Sequence, residues 1–489
     1  MTQLPHGWVD AAIEDCLCSL DDGRLIHQGW SPQCERVPAD DVDAWGVLKT
    51  TAIQPGAFIA EENKKLPHAM EPRSGIEVRP GDLLLTCAGP RARCGVACLV
   101  RDTRPRLMLS GKMYRFRVNE RDIDPRFVEA ALLSPALVDA LDEIKTGISD
   151  SGLNLTHSRF RALRIPVAPR PEQERIIAAI EEASSKLDAG EAGLRIVRQL
   201  LNRLRDAILA AAVAGRLVPQ NAMDTPASNL LAHLGIEPVD RDDLPNLPEG
   251  WAWAAIEGVA ARMPNALAIG PFGSNLKVTD YADNGVPLVF VRNIRRRDFR
   301  TALKHVTHEK ANELASHSVR ERDVLITKMG DPPGDTAVYT ESRAAIITAD
   351  CIKVTCGAGV TPEYLSLAIA GGHTRRLLHE ATRGVAQKKV SLGRFRVLPV
   401  PIPPLEEQAR ITAEVDRQMS FVDACERAVD DGLKRSVALR KSVLKAAFEG
   451  RLVPQDRTDE PASVLLERIR AEREATLEPS GPGRERRHE

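Results

Sequence analysis

Apolar residues at Ile176, Ile180, Leu187, Leu194, Val197, Leu201, Leu204 and Ile208 recur at spacings of three, four and seven, the seam of a helix laid against another helix. The segment opens at Pro171 with Glu172, Gln173 and Glu174, suitable first-turn chemistry, and stops at Gly215. A second seam runs through Ile411, Val415, Val422, Val429, Leu439 and Val443, with Leu433 beside it, and stops at Gly450. Each seam predicts a helix of about 40 residues, about 60 Å long at about 1.5 Å per residue. Outside the helices the pattern changes to short apolar runs broken by Gly and Pro. Val78 to Thr86 (VRPGDLLLT), Val319 to Thr327 (VRERDVLIT) and Gly285 to Ile294 each read as a turn entering a buried strand. Asp124-Pro125 and Thr361-Pro362 introduce the helical runs FVEAALL and EYLSLAI. The fold class is therefore α/β (α+β), with globular portions at 1–168 and 247–403 and helices at 169–220 and 404–455.

The two halves are copies of one design. GRLVPQ occurs at Gly215 to Gln220 and again at Gly450 to Gln455, 235 residues on. At that offset Arg159-Phe160-Arg161 matches Arg394-Phe395-Arg396, Pro166 matches Pro401, Gln173 matches Gln408, and Pro226-Ala227-Ser228 matches Pro461-Ala462-Ser463. Upstream the offset drifts: Leu4 to Trp8 (LPHGW) answers Leu247 to Trp251 (LPEGW), and Gly29, Ile53 and Phe58 answer Gly270, Ile294 and Phe299. Loops changed length there. A Pro-Ala-Ser segment follows each GRLVPQ, so the order of elements is that of a cycle cut open at one linker, a pseudo-two-fold molecule with its two long helices antiparallel.

A chain of 489 residues with 43% apolar and 28% charged content supports two cores and a connecting element rather than disorder. No stretch reaches bilayer-spanning length, the Ala-rich Ile208 to Ala214 included, and the N-terminus lacks a signal pattern, which places the chain in the cytoplasm without a membrane partner. Nine scattered cysteines without a CxxC pair read as reduced, small buried hydrophobes; Cys87, Cys94 and Cys98 have no His-spaced partner for zinc.

The net charge of −1 conceals local asymmetry. Arg91, Arg93, Arg101, Arg104, Arg106, Lys112, Arg115 and Arg117 face only Asp102 within their stretch; Arg292, Arg295, Arg296, Arg297 and Arg300 cluster in the second copy, as do Arg383, Lys388, Lys389, Arg394 and Arg396. One such run is equally well a solvated face; clusters in both copies point to phosphate.

No phosphate-cradling GxxxxGK[ST] and no GxGxxG after a strand is present. Gly330-Asp331-Pro332-Pro333-Gly334 imitates the DPP motif of amino-methyltransferases, but glycine stands where an aromatic would stack on a flipped base, so it reads as a turn. Asp331, Asp335 and Glu341 lack nuclease spacing, and the histidines are dispersed. No catalytic residue and no metal site is expected. Recognition remains, since Arg and Lys suit phosphates and guanine edges, Asn and Gln adenine edges. The candidate DNA-binding residues are Ser31, Gln33, Lys49, Lys64, Lys65, Arg91, Arg93 and Lys112 in the first copy. In the second they are Phe272, Ser274, Asn275, Lys277, Arg292, Asn293, Arg295, Lys328, Arg383, Gln387 and Lys388.

IPVAPRPEQERI, PVPIPPLEEQARI, the paired GRLVPQ tips, the LPxGW starts and the run IGPFGSNLK with GVPLVFVRNI together resemble the specificity subunit of Type I restriction-modification systems, over nearly the whole chain. The resemblance implies target-recognition domains at 1–168 and 247–403, each taking one half of a bipartite site on double-stranded DNA, with half-sites about 34 Å apart, one DNA turn. It implies spacer helices at 169–220 and 404–455, a linker at 221–246 and a C-terminal segment at 456–489, partly disordered past Arg470. Its implied partners are two methyltransferase (modification) subunits docked on the helices, joined by restriction (motor-nuclease) subunits. S-adenosylmethionine, ATP and Mg would belong to those partners, leaving this chain without a cofactor. The first copy departs from the pattern in carrying GWSPQ at Gly29 to Gln33 in place of GPFGSN. The alternative is a coiled-coil adaptor of a phage-defence assembly without direct base readout; an enzyme in its own right ranks third.

Overall fold

The computed structural model describes residues 4–330, 332–382 and 388–477. The chain forms two compact units, Met1–Leu194 with Asp431–Glu489, and Arg195–Asp430. Because the division falls inside the long helices, each unit holds one globular portion and the adjoining stretches of both helices.

In the first unit an antiparallel sheet has the order Ile26–Gln28, Met113–Phe116, Leu83–Thr86, Ala97–Leu99. A smaller sheet orders Leu107–Met108, Gly46–Leu48, Asn63–Lys65, its first pair parallel. Val9–Ala12 pairs with Arg164–Val167, beside the start of the long helix. The VRPGDLLLT run behaves as its pattern requires: Leu83, Leu84 and Leu85 are fully buried, on the two faces of a strand covered on both sides.

The second unit repeats this plan. Its main sheet orders Leu267–Ile269, Cys351–Val354, Val324–Thr327, Thr336–Val338. The smaller sheet has five strands, Tyr281–Ala282, Lys304–Val306, Val286–Val289, Ala345–Ile347 and Ser318–Val319, and keeps the parallel pair Val286–Val289 with Ala345–Ile347. Ala252–Ala255 pairs with Pro399–Ile402. The segment Gly285 to Ile294 is thus only half strand; helix Val291–Arg296 takes over once Asn293 accepts the Phe290 N–H at 3.0 Å and closes a cap. A buried aspartate braces the turn before the central strand in both units. Asp82 accepts from the Arg79 N–H at 2.7 Å and Arg117 Nε at 2.6 Å, and Asp323 accepts from the Arg320 N–H at 2.8 Å and the Thr355 hydroxyl at 2.5 Å.

The long helices run Arg170–Val213 and Leu405–Phe448, 44 residues each. Matching buried glutamines anchor their first turns. Gln173 Oε1 accepts the Asp124 N–H at 2.8 Å while its Nε2 donates to Ala168 O at 2.8 Å; Gln408 Oε1 accepts the Thr361 N–H at 2.8 Å and Nε2 donates to Pro403 O and Gly359 O, both at 3.2 Å. Asp124 and Thr361 in turn cap helices Pro125–Leu133 and Pro362–Ala370, with proline at the first position of each.

Within each unit the two helix portions are antiparallel. Arg440 reaches Asp188 at 2.6 Å and Glu191 at 3.0 Å in the first unit, and Arg205 reaches Asp423 at 2.7 Å and Glu426 at 3.1 Å in the second. These are the same three positions of the repeat. Ion pairs therefore occupy places where a continuous apolar seam is expected. Val197, Leu204 and Leu439, assigned to the seam from spacing, are exposed. The contact line instead passes through Leu201, Arg205, Ile208 and Ala212, and a residue one place off that line points about 100° away on a helix of 3.6 residues per turn.

Both helices end on a left-handed glycine, Gly215 at φ +63° and Gly450 at φ +66°, followed by an N–H that reaches back five residues: Arg216 to Ala211 O at 2.9 Å, Arg451 to Ala446 O at 2.8 Å. The segment after each tip then docks on the Leu-Pro-x-Gly-Trp start of its own unit. Ala462 N–H donates to Gly7 O at 2.8 Å in one, and Ala227 N–H donates to Gly250 O at 2.7 Å in the other. The linker at 221–246 accordingly contains helix Ala227–His233. The C-terminal segment is more ordered than its polar composition implies, forming helix Ala462–Leu477 because Ala462, Leu466 and Ile469 enter the first unit's core and Arg468 pairs with Asp122 at 2.7 Å. Residues 478–489, where disorder is also expected, lie outside the described residues. Among the described residues no helix is long and apolar enough to cross a membrane.

Candidate nucleic-acid interface

The divergent loops gather at one place in each unit, where the edge strand of the main sheet ends in a glycine. In the second unit Ile269 leads into Gly270, whose N–H donates to Cys351 O at 3.1 Å; a Cβ there would overlap the Thr348 carbonyl. Only glycine lets the following loop lie so close to the 348–350 turn. From this point the loop carries Phe272, Ser274, Asn275 and Lys277 into solvent, with Phe272 69% exposed.

The neighbouring segments are tied to the same turn. Lys328 N–H donates to Asp350 O at 2.7 Å and Lys328 Nζ to Ala349 O at 3.2 Å; Val390 N–H donates to Lys328 O at 3.1 Å, and Gly330 N–H to Lys388 O at 3.4 Å. A shallow depression of about 480 Å³ lies alongside, lined by Phe290, Arg292, Arg295, Arg296, Thr348 and Asp350. Arg292 stacks over Phe290 at 4.3 Å, which holds a guanidinium outward without neutralising it. Arg295 is bound to Asp335 at 2.8 Å. The second-copy candidates Phe272, Ser274, Asn275, Lys277, Arg292, Arg295, Lys328 and Lys388 therefore lie on segments linked around a common turn. Asn293 does not present its side chain: it is buried, and its Nδ2 donates to Asp298 O at 3.1 Å. Arg383 and Gln387 lie outside the described residues, as does Asp331.

The first unit builds the equivalent place from different residues. Gln28 leads into Gly29, whose N–H donates to Met113 O at 3.3 Å and whose Cβ would overlap the Leu109 and Ser110 carbonyls. Cys87 N–H donates to Lys112 O, and Leu155 N–H to Cys87 O, both at 2.8 Å, so Lys112 occupies the position of Asp350 and Cys87 that of Lys328. Ser31 Oγ accepts the Gly111 N–H at 3.1 Å. Ser31 and Lys112 thus meet here, with Gln33 exposed on the same loop.

Other first-copy candidates are engaged elsewhere. The Arg93 guanidinium is inside, donating to Ile53 O at 2.7 Å, Gln54 Oε1 at 3.2 Å and Thr50 O, a brace between loops. Arg91 is held by Asp142 at 2.5 Å and Asp150 at 3.0 Å, and Lys49 by Glu62 at 3.5 Å. Lys64 and Lys65 sit on the edge strand of the smaller sheet, Lys64 exposed and Lys65 half-buried.

Two residues absent from the sequence-derived set join the first site. Gln28 Nε2 donates to Gly111 O at 2.7 Å, and His157 Nε2 faces Gln28 Oε1 at 3.3 Å. The His157 ring packs on Tyr114 with centroids 4.3 Å apart, and burial together with Arg161 lowers its pKa, leaving it neutral at neutral pH. Burial pushes the Cys87 thiol up to about 12, so it stays protonated at neutral pH. Among the described residues no group of His, Cys, Asp and Glu is arranged to hold a metal ion.

No family model matches the chain. It is 36% identical over 211 residues to the Type I restriction enzyme EcoEI specificity subunit of Escherichia coli, a match covering 43% of this chain and 34%, about a third, of that protein. It is 26% identical over 386 residues to the EcoBI specificity subunit of Escherichia coli, covering 76% of each. A chain from a solved structure concerned with complex assembly and conformational transition of the type I R-M system superposes with a TM-score of 0.61 at 20% identity, covering 92% of this chain and 99% of the other. That likeness is one of fold.

Proposed function

We propose that this chain, a homologue of Type I restriction enzyme specificity subunits, is the non-catalytic DNA-reading subunit of such a system. Each unit takes one half of a bipartite site on double-stranded DNA through the loops at the end of its main sheet. Methyltransferase subunits dock on the long helices and bring S-adenosylmethionine; restriction subunits bring ATP and Mg. The observation that carries this reading is one scaffold built twice, down to matching glutamine anchors and arginine bridges, with different residues set where the edge strand ends. Selection for stability alone gives no reason to preserve the frame and diversify one rim in both copies. A reader of two different sequences requires just that.

The chain supplies phosphate contacts through exposed cations and fixes them on a rigid sheet, so that register is set before bases are read. Arg292 and Lys388 serve the second unit, Lys112 the first. Co-expression with its neighbouring methyltransferase subunits, followed by sequencing of the modified DNA, tests the proposal. A single two-part motif with a fixed gap is expected; methylation without such a motif, or none at all, overturns it. Binding of the assembled complex to DNA falls steeply as salt rises if phosphates are neutralised, whereas an adaptor whose basic clusters are merely solvated shows little salt dependence.

A further inference from the structure

On the reading that this chain recognises a bipartite DNA site, we infer that Gln28 reads the major-groove edge of an adenine in the half-site taken by the first unit. The side chain stands exposed at the end of strand Ile26–Gln28, immediately before the glycine from which the variable loop departs. Most exposed glutamines are free to rotate; this one is held. Its Nε2 donates to Gly111 O at 2.7 Å and rests against the Cys87 sulphur at 3.8 Å, and its Oε1 meets His157 Nε2 at 3.3 Å. His157 is steadied by the Tyr114 ring, and the Tyr114 hydroxyl is anchored on Leu155 O at 2.6 Å.

The amide therefore has little rotational entropy left to lose on binding. An amide carries two N–H donors and an oxygen with two lone pairs. Gly111 O takes one N–H at 2.7 Å, and His157 Nε2 stands 3.3 Å from the oxygen, where its N–H tautomer donates to one lone pair. The other N–H has among the described residues only the Cys87 thiol, a weak acceptor at 3.8 Å that it gives up readily as the amide turns toward a base, and one lone pair is open. One donor and one acceptor on a fixed amide match N7 and the N6 amino group of adenine. Guanine offers two acceptors on the same edge and leaves the amide oxygen facing another oxygen.

The second unit cannot make this contact. Strand register places Ile269 where Gln28 stands, since Gln28 pairs with Tyr114 and Ile269 with Ile352, each beside the central strand at Leu85 and Ile326. Leu392 takes the place of His157 in the ungapped part of the repeat. The readout belongs to one half-site only.

The test uses the full complex with its methyltransferase subunits. The wild-type motif should contain, in one half, an adenine that becomes any base in methylation by Gln28→Ala, with the other half unchanged. Among duplexes carrying 7-deazaadenine at each adenine of the motif in turn, wild-type complex should bind one about 5- to 150-fold more weakly than the natural duplex. The deaza duplexes leave the protein unaltered, so they decide the matter even if Gln28→Ala lowers methylation uniformly through misfolding. A two-part motif unchanged in Gln28→Ala, or unaltered affinity for every deaza duplex, overturns the role of Gln28 and leaves the DNA-reading subunit standing. Absence of any two-part motif overturns both.

Discussion

The first and second units share a frame but not the chemistry at the end of the edge strand. In the frame, positions related by the repeat make the same bonds: Gln173 and Gln408 at the helix starts, Arg440 and Arg205 between helices, Gly450 and Gly215 at the tips. At the end of the edge strand the chemistry is exchanged. Cys87, Lys112, Asn154 and His157 stand in the first unit where Lys328, Asp350, Lys389 and Leu392 stand in the second. The difference teaches that the frame is held by the same paired bonds in both copies, while among the described residues the strand-end positions carry no side-chain bond that the repeat requires them to share. Basic side chains alone do not mark the interface: Arg93 is as basic as Arg292 and is spent on bracing loops.

Four measurements break or sharpen the comparison. Gly29→Ala and Gly270→Ala should each destabilise the unit that holds it by about 3 kcal/mol or more, because the added methyl meets backbone carbonyls that cannot move aside; denaturant unfolding reads the loss, and a large effect in only one unit would deny that the two loop roots are equivalent. Gln173→Leu and Gln408→Leu strand buried backbone groups and should cost about 2–4 kcal/mol each, by similar amounts in the same assay. Arg205→Ala and Arg440→Ala remove partly solvated ion pairs and should cost about 1 kcal/mol each, seen as a small fall in unfolding midpoint that high salt diminishes in the wild type.

The smallest effect concerns pH. Burial raises the pKa of Glu172 and Glu407, the acids beside the anchoring glutamines, despite nearby Arg175 and Arg410. A carboxyl whose folded pKa exceeds its unfolded value binds its proton more tightly when folded. These two groups therefore favour the native state at pH below the usual carboxylate range, and that advantage is lost as pH rises through their raised values. Glu407→Gln keeps an acceptor for the Trp251 indole, which donates to Glu407 Oε2 at 3.0 Å, and should flatten this component of the stability–pH curve. A slope unchanged in the double Gln variant would show that the acids titrate as they do in the unfolded chain.

Much of the frame was legible in the sequence because it rests on local rules. Proline after Asp124 and Thr361 announced two helix starts, the glycines of GRLVPQ announced two stops, and one offset tied the copies together. The helix seam was legible only in part: a heptad template places Val197, Leu204 and Leu439 inside, whereas the paired line admits Arg205 and Arg440 because Asp and Glu partners await them from the facing helix. The site was less legible still. Residue type cannot say whether a side chain is needed inside, as Arg93 and Asn293 are. Gln28 and His157 are far apart in sequence and acquire meaning only when the strand end and a helix start are brought to 3.3 Å.

The arginine bridges between the long helices give the pair a vernier. In the second unit, sliding one helix portion a turn along its neighbour would part Arg205 from Asp423 and Glu426; in the first, it would part Arg440 from Asp188 and Glu191. Greasy seams tolerate slippage because one aliphatic contact resembles the next; charges placed at repeat-related notches do not. Within each unit the alignment of the helix portions is in this way keyed by charge as well as by apolar contact, Arg198 with Asp430 adding a further notch in the second.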